Sequence, residues 1–515
     1  MTSVKKYIES SLIRKNLFFY LGLFLFTIIT QNIYLDIETI EWDIASYLVA
    51  SQGIENGLLP NQTQWESKGP IFIYLYYLLS IPAENTLVIF KLINDLILFL
   101  ISLILFKTIL SKTKEYTHAF FSSILFLSVM SQVWAQSGYS EVYSLLFLSI
   151  SYFIITNYRF NNLSYLLTGI LFSISSLINQ GTVIFLLPLI ISELTLNSQR
   201  TYFRKVLNLG IGFTIPHLFF LLLYLINGLL DIYLATYLTI PLGYVQANYA
   251  SFYELFVFSR ELMEYNLYLY LCLLSLIFIN LLNLFKKYTK KTKLIIFDLD
   301  NLNIIFGLLF YFIGSHNYYH HLIYLVFFIP FMMNKINFSN QKKFIYVLIL
   351  ISSLSILQNT YKESLNNLTN INNLQQNYPL YNLAEEIDSY FIDDYDILAF
   401  DYNLILYYLN KPNFSYIVHP SNHFEEFIIE VLSDLDKVNS NYISDLINKE
   451  PDVIICNPRM IIRGIPTEIS SLFNCEVSDY KKNYFKLDTK NYKNDENLNY
   501  YYDPYKEISV FIKKG

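Results

Sequence analysis

The segment from residue 36 to residue 70 reads DIETIEWDIASYLVASQGIENGLLPNQTQWESKGP and lies between long apolar runs. It carries the carboxylates Glu41 and Asp43, the cation Lys68 and several aromatic side chains. Carboxylates that amphipathic helices hold at a bilayer surface have few structural uses. We therefore predict a helical membrane protein in which this segment is an external loop with chemically active side chains.

The rest of the chain has two compositions, which the average of 54% hydrophobic residues conceals. Runs of Leu, Ile, Phe and Tyr extend to about residue 360, and the later part is rich in Asn, Asp, Lys and Tyr. A transmembrane helix needs roughly 20 mostly apolar residues, and about eleven runs qualify. The predicted spans are 17–35, 86–106, 117–135, 140–157, 163–178, 182–197, 205–227, 266–285, 302–315, 321–334 and 343–358.

Lysine and arginine predict the orientation, because short cytoplasmic loops contain an excess of them. Basic residues precede the first span and recur at every second boundary, whereas Lys68, Lys91 and Arg260 lie on the opposite side. This pattern requires the short apolar run 71–82 to lie in the outer interface without crossing. The N-terminus is then cytoplasmic, residues 36–85 belong to the first external loop, and the tail after about residue 360 is extracytoplasmic.

We predict a membrane domain over residues 1–360 and a small extracytoplasmic α/β domain over residues 361–515. Short apolar runs that end in polar residues are typical of buried strands, and apolar residues at helical spacing lie between them. Alternation of strands and helices favours an α/β fold. The predicted strands are 396–400, 452–456 and 509–512, the predicted helices are 424–435 and 442–447, and residues 481–505 are predicted to be a surface excursion.

Charge and cysteine content narrow the partners and the compartment. The formal net charge of -6 fits no basic nucleic-acid surface, so nucleic acid is excluded as a partner. The first apolar run has no small-residue cleavage site after it, which favours a retained span over a signal peptide. Cys456 and Cys475 lie in the predicted external tail, where a disulfide is chemically permitted and two free thiols are the alternative.

Glu41 and Asp43 are the first candidate catalytic residues. A carboxylate here is suited to act as a general base, with or without a divalent metal, that takes a proton from an acceptor hydroxyl while a sugar is displaced from a phosphate. The alternative is a solvated loop whose carboxylates face water. Residues 41–57 alternate between apolar residues and small or polar residues, a pattern that suits an interfacial helix.

Glu141 is the third candidate, because it opens the fourth span on the predicted outer side. An ionisable group at the mouth of an apolar helix is costly unless it has a partner or a function. Its alternative role is to stabilise the positive end of the helix dipole. We predict that Asp43 and Glu141 converge at the outer leaflet.

Lys68 and Lys91 are candidates for binding a donor phosphate, because both lie on the predicted outer side. A point charge beside the carboxylates would stabilise a phosphate leaving group. The alternatives are snorkelling to the headgroup layer for Lys68 and neutralisation by Asp95 for Lys91.

His316, His320 and His321 cluster in a predicted external loop. His320 and His321 are candidates for contacts with a phosphate or a substrate. A metal site is also possible on chemical grounds, and its candidate ligands are Asp43, Glu141 and His321. Their spacing fits no closed zinc site. Aromatic and histidine side chains also populate membrane interfaces for amphipathic reasons alone.

The membrane part resembles the GT-C superfamily of glycosyltransferases, in the family 39 group of protein O-mannosyltransferases and lipid A aminoarabinose transferases. The likeness covers about residues 15–335 and lies in the order of several short elements. They are Glu41-Trp-Asp43 with Tyr47 and Gly57, Lys68-Gly-Pro70, Lys91, Glu141, Asn179-Gln180-Gly181, Gly228-Leu-Leu-Asp231 with Tyr244, and the His-Tyr-rich segment before Pro330.

The resemblance implies a GT-C type fold and a polyprenyl-phosphate sugar donor that is attacked with inversion. The acceptor is then a glycan, lipid or protein at the outer face of a bacterial-type inner (plasma) membrane. Asp43 would be the base or a metal ligand, supported by Glu141. The chain departs from the family pattern at its Glu-x-Asp acid pair, at Gly69 in place of proline and at Asn179 in place of lysine.

Two other classes of protein remain open. A transporter or flippase of lipid-linked sugars usually has inverted repeats and carboxylates near the bilayer midplane, whereas these acids lie at the predicted outer edge. A sugar-binding scaffold without chemistry is the third possibility.

Overall fold

Helices follow the apolar runs of the chain. The computed structural model describes residues 2–38, 42–83, 86–135, 138–159, 161–196, 199–247, 251–289, 298–314, 318–336, 339–457, 461–462, 465–466, 483–489, 492 and 508–514. The helices are α1 (Thr2–Gln31), α2 (Trp42–Gln52), α3 (Pro70–Ser80), α4 (Leu87–Thr113), α5 (Tyr116–Met130), α6 (Ser140–Tyr158), α7 (Asn162–Ile178), α8 (Leu186–Leu196), α9 (Gln199–Ile226), α10 (Leu230–Leu234), α11 (Ile240–Ala247), α12 (Phe252–Tyr265), α13 (Leu267–Thr289), α14 (Leu299–Gly314), α15 (Ile323–Phe328), α16 (Ser339–Thr369), α17 (Ile371–Leu374), α18 (Pro379–Asp388), α19 (Leu404–Tyr408), α20 (Glu426–Asp434) and α21 (Tyr442–Asn448).

Each predicted span coincides with helical structure, so the helical class of the protein is confirmed. By length and apolar composition, four helical segments of the described chain are able to cross a membrane: Lys15–Tyr34, Leu87–Thr113, Thr201–Ile226 and Ser339–Thr369. Apolar side chains on α9 such as Phe203, Leu207 and Ile211 are exposed, as expected of a lipid-facing surface. The count of eleven spans, the orientation and the interfacial position of residues 71–82 stay predictions.

The chain forms two compact units. The first, here the bundle unit, comprises Met1–Tyr34, Leu92–Leu218 and Ala247–Thr369. The second, here the loop–tail unit, comprises Leu35–Lys91, Phe219–Gln246 and Asn370–Gly515. Residues of the first predicted external loop therefore belong to the same unit as the tail. The domain boundary between residues 360 and 361 stays a prediction, and α16 continues through it to Thr369.

The bundle unit packs its helices closely where glycines allow it. Helix α16 packs against α1, α5 and α13, and α6 packs along α7. Helices α7 and α9 approach at Gly169 and Gly212. A Cβ on Gly169 would lie 2.2 Å from the Leu209 carbonyl oxygen, and one on Gly212 would lie 2.1 Å from the Leu166 carbonyl oxygen. Only glycine therefore fits at either position of this crossing.

The loop–tail unit contains six described strands: β1 (Ile397–Ala399), β2 (Val453–Cys456), β3 (Ile461–Ile462), β4 (Ile465–Pro466), β5 (Tyr484–Lys486) and β6 (Ser509–Lys513). Four of them form a sheet in the order β1-β2-β6-β5, and β3 and β4 form a separate pair. Strands β1 and β2 are parallel, with Ile397 opposite Val453, and β6 is antiparallel to both β2 and β5. The predicted strands 396–400, 452–456 and 509–512 are confirmed.

The tail contains a strand that the sequence did not predict. Residues 481–505 were expected to be a surface excursion, but β5 lies within them and pairs through Phe485 with Ile512. The Tyr- and Lys-rich composition hid this edge strand, because only three residues of it pair. Cys456 is buried at the end of β2 and is disulfide-bonded, so it is not a free thiol. Cys475, its predicted partner, lies outside the described residues.

Trp65 fixes the loop within the loop–tail unit. Its side chain is fully buried in a core cluster with Ile232, Phe400 and other apolar residues of the unit. Its indole Nε1 donates to Thr236 Oγ1 at 2.9 Å. Its backbone N–H donates to the Tyr416 carbonyl at 2.6 Å, and its carbonyl accepts from Val418 N–H at 3.2 Å. The residues that follow Trp65 thus start from a fixed point.

Candidate functional site

Asp43 lies in the first turn of α2, where the helix dipole stabilises a carboxylate. Its Oδ1 lies 2.7 Å from Nε2 of His419, the N-cap residue of the 3₁₀ helix Pro420–Phe424 in the tail. Both side chains are largely buried, at 18% and 11% exposure. The acid predicted from the loop therefore has a histidine partner, and both belong to the loop–tail unit.

Glu66 lies in the same group of side chains. It is 1% exposed, and its Oε1 accepts from the backbone N–H and the hydroxyl of Ser67 at 2.8 and 2.9 Å. Its Oε2 is buried without a hydrogen-bond partner among the described residues. Burial raises the pKa of this carboxyl above its ordinary value, and the Asp43 carboxylate raises it further, while the Lys68 ammonium opposes the shift.

Lys68 extends over an aromatic cluster of the loop. Its Nζ lies 5.8 Å from the centroid of the Tyr47 ring, and Tyr47 makes edge contacts with Phe72 and Tyr76. Lys68 is thus held by a cation–π contact, and its positive charge opposes the rise in the pKa of Glu66. The predicted phosphate contact of Lys68 stays a prediction.

Lys91 contacts its own unit. Its ammonium donates to the Ile37 carbonyl and lies 5.5 Å from the centroid of the Tyr378 ring. These contacts tie the end of the loop to the start of the tail. The predicted roles of Lys91 toward a donor phosphate or toward Asp95 stay predictions.

Glu141 is the centre of a second group of side chains, in the bundle unit. It lies in the first turn of α6 and is 1% exposed. Its Oε1 accepts from Asn179 Nδ2 at 2.8 Å and lies 3.4 Å from His321 Nε2, while its Oε2 accepts from the Ser140 hydroxyl at 3.2 Å. The carboxylate therefore has hydrogen-bond donors for both oxygens, as a buried charge requires.

His320 and His321 belong to the 3₁₀ helix Tyr319–Leu322. The His320 ring is stacked with Tyr139 and with Tyr318, with centroid distances of 4.4 and 5.4 Å. These two stacking contacts hold the plane of the imidazole ring. The histidines predicted from the sequence thus meet Glu141.

The cluster formed by Glu141, His320 and His321 has the composition of a divalent cation site. One ligand atom from each residue lies within 4.8 Å of the others. Two imidazoles and one carboxylate are a donor set that catalytic zinc sites use, with a fourth position left for water or substrate. A bound ion would require a modest contraction of these distances. The residues fit such an ion, and Asp43, the other candidate ligand, belongs to the loop–tail unit.

Two sequence-predicted residues, Glu41 and His316, lie outside the described residues. Asp43 and Glu141 belong to different units, so their predicted convergence stays a prediction.

Sequence reasoning missed three residues of these groups. Glu66 lay within the quoted loop, and its position two residues before Lys68 was a usable signal. Asn179 was noted as a departure from the family pattern but not as a partner of Glu141. His419 had no signal, because 376 positions separate it from Asp43 in the sequence.

The fold is of the GT-C type. The structure is similar to that of ArnT from Cupriavidus metallidurans bound to undecaprenyl phosphate, with a TM-score of 0.63, 10% identity, and coverage of 96% of this chain and 97% of ArnT. A weaker likeness exists to the oligosaccharyltransferase AglB from Archaeoglobus fulgidus in complex with an inhibitory peptide and a dolichol-phosphate. That match has a TM-score of 0.43 and 12% identity, and covers 91% of this chain and 73% of AglB. No family model and no curated protein matches the sequence.

Proposed function

We propose that this protein is an inverting glycosyltransferase that uses a polyprenyl-phosphate sugar as donor at the extracytoplasmic face of the membrane. Support comes from the likeness in fold to ArnT, which was solved with undecaprenyl phosphate bound. The observation that carries the proposal is the hydrogen-bonded carboxylate of Asp43. Asp43 is the residue to which the sequence resemblance assigns the role of base. The acceptor is a hydroxyl of a glycan, lipid or protein.

Asp43 accepts the proton of the acceptor hydroxyl as its oxygen attacks the anomeric carbon. The new bond joins that oxygen to the anomeric carbon from the face opposite the phosphate. The bond between the anomeric carbon and the phosphate oxygen breaks, and its electron pair stays on the phosphate. The products are an inverted glycoside, polyprenyl phosphate and a protonated Asp43, which releases its proton to water.

The leaving phosphate gains negative charge in this step, and cations stabilise that charge. Lys68 supplies a point charge for this purpose, and Lys91 is the second candidate. Within the bundle unit, Glu141, His320 and His321 would hold a divalent cation, which would supply positive charge as a Lewis acid. Asn179 and Ser140 orient Glu141 through their hydrogen bonds.

Release of polyprenyl phosphate from a labelled donor by the purified protein tests the proposal. A transferase releases polyprenyl phosphate in an amount equal to the sugar that is transferred to the acceptor. Without an acceptor, release occurs only by slow hydrolysis, in which water takes the place of the acceptor. Exchange of the label across vesicles without release would contradict the proposal and favour a flippase. Binding of the donor without release or exchange would contradict it in favour of a binding scaffold.

A further inference from the structure

His419 reaches Asp43 from a part of the chain that has no catalytic assignment. Its neighbours hold the segment in place: Val418 N–H donates to the Trp65 carbonyl, and Asn403 Nδ2 donates to the Val418 carbonyl at 2.7 Å. The imidazole also meets the indole of Trp42 edge to face, with a centroid distance of 6.3 Å. The histidine is therefore held by both its backbone and its ring.

The hydrogen bonds of His419 define its tautomer. Nδ1 lies 3.3 Å from the backbone nitrogen of Ser421 and 2.9 Å from the Ser421 hydroxyl. A backbone N–H can only donate, so Nδ1 is the acceptor and carries no proton. In a neutral imidazole the proton is then on Nε2, which donates to Asp43 Oδ1.

This arrangement orients the carboxylate. A donated hydrogen bond to Oδ1 fixes the plane of the carboxyl group and directs proton acceptance to Oδ2. The relationship is the reverse of a serine protease triad, because here the carboxylate is the base and the imidazole holds it.

We propose that His419 is a positioning residue for Asp43, so that the tail contributes one neutral, Nε2-protonated histidine to the site of the predicted base. This inference rests on the proposed function. The role requires a donor at Nε2 and an acceptor at Nδ1, and it does not require His419 to touch substrate.

Substitutions at His419 test the role through kinetics. The amide of glutamine can donate to Asp43 in place of Nε2–H, whereas alanine cannot. We expect His419→Ala to lower kcat for polyprenyl phosphate release by about 10- to 100-fold, with KM for the donor within about twofold of the wild type. His419→Gln should recover most of the loss. Glu430→Gln, on the exposed side of α20, serves as the control from the same unit.

Three kinetic outcomes would overturn the inference. They are a wild-type kcat in His419→Ala, a loss in His419→Gln as large as in His419→Ala, and a loss that lies only in KM. A variant that fails to fold is recognised by its elution from size exclusion, and His419→Gln then decides the question.

Nitrogen-15 NMR of histidine-labelled full-length protein in detergent provides a test that needs no activity. The chain has seven histidines, and the nitrogen signals that are lost in His419→Gln are those of His419. We expect a protonated Nε2, an unprotonated Nδ1, and a shift of the Nε2 signal in Asp43→Asn. A protonated Nδ1, or no response to Asp43→Asn, would overturn the inference. Absence of transfer by the wild type would instead refute the proposed function and leave this readout intact.

Discussion

Asp43 and His419 are joined by a hydrogen bond of 2.7 Å between Oδ1 and Nε2. The first residue lies at the start of α2 and the second in the tail, and both belong to the loop–tail unit. The tail is therefore part of the site that contains the predicted base. Disturbing the packing between loop and tail should affect that site even where no catalytic group is changed.

Trp65 tests this dependence. Its indole is fully buried, and we expect Trp65→Ala to lower the free energy of unfolding by about 3–5 kcal/mol, because a large cavity is left. Trp65→Phe should cost less, since it retains most of the ring while losing the bond to Thr236. Thermal unfolding in detergent measures both. Ile392→Ala, at a fully exposed position of the tail, should leave the midpoint unchanged, and an equal loss there would contradict the prediction.

Glu66 predicts a pH dependence of stability. Its folded-state pKa lies above the ordinary glutamate value of 4.5, because the carboxyl is buried. At a pH below 4.5 Glu66 is protonated in both the folded and the unfolded state, so the stability of Glu66→Gln should resemble that of the wild type. As the pH rises above 4.5, the unfolded state loses its proton first. Folding must then take up a proton, so the wild type loses stability.

The measurement is the difference in unfolding midpoint between Glu66→Gln and the wild type from pH 4 to pH 8. We expect this difference to grow in favour of Glu66→Gln as the pH increases. A constant difference, or a wild type that becomes the more stable protein at high pH, would contradict the raised folded-state pKa of Glu66.

The cluster of Glu141, His320 and His321 predicts binding of a divalent cation. We expect the purified protein to bind about one equivalent of Zn²⁺ or Mn²⁺ in calorimetric titration, and Glu141→Gln or His321→Ala to weaken binding by about 100-fold or more. His217→Gln, a change to a histidine elsewhere in the bundle unit, is the matched control. Equal affinity in Glu141→Gln and the wild type would contradict the assignment.

The crossing of α7 and α9 offers a comparison of two glycines two positions apart. Gly212→Ala would place a Cβ 2.1 Å from the Leu166 carbonyl oxygen, so we expect a loss of about 1–3 kcal/mol. Gly210→Ala meets nothing within 4 Å and should be neutral or stabilise the helix by up to about 1 kcal/mol. Unfolding midpoints measured side by side test the crossing, and the opposite ranking would argue against it.

Much of the fold was predictable from the sequence, because local composition determines it. Apolar runs predicted the helices, and short buried runs predicted β1, β2 and β6. The edge strand β5 was not predicted, since a short strand with one polar face resembles a loop in composition. The grouping of residues 35–91 with the tail was also not predicted, because it depends on contacts between distant segments such as those of Trp65.

The candidate site was predicted where ionisable residues interrupt apolar sequence. Asp43, Glu141, His320 and His321 were found in this way, since a charge beside a span needs a reason. His419 lies in a polar tail, where a histidine is unremarkable, and only the tertiary fold brings it to Asp43. Glu66 was overlooked because its burial follows from that of Trp65, which sequence alone does not reveal.

The most direct test of the account is the rate at which Asp43→Asn releases polyprenyl phosphate from a labelled polyprenyl-phosphate sugar in the presence of acceptor. The asparagine cannot accept the proton, so we expect a rate about 10²- to 10⁴-fold below that of the wild type. The elution profile should be unchanged, and Glu55→Gln, at an exposed carboxylate of the same loop, should retain the wild-type rate. Full activity in Asp43→Asn would contradict the account.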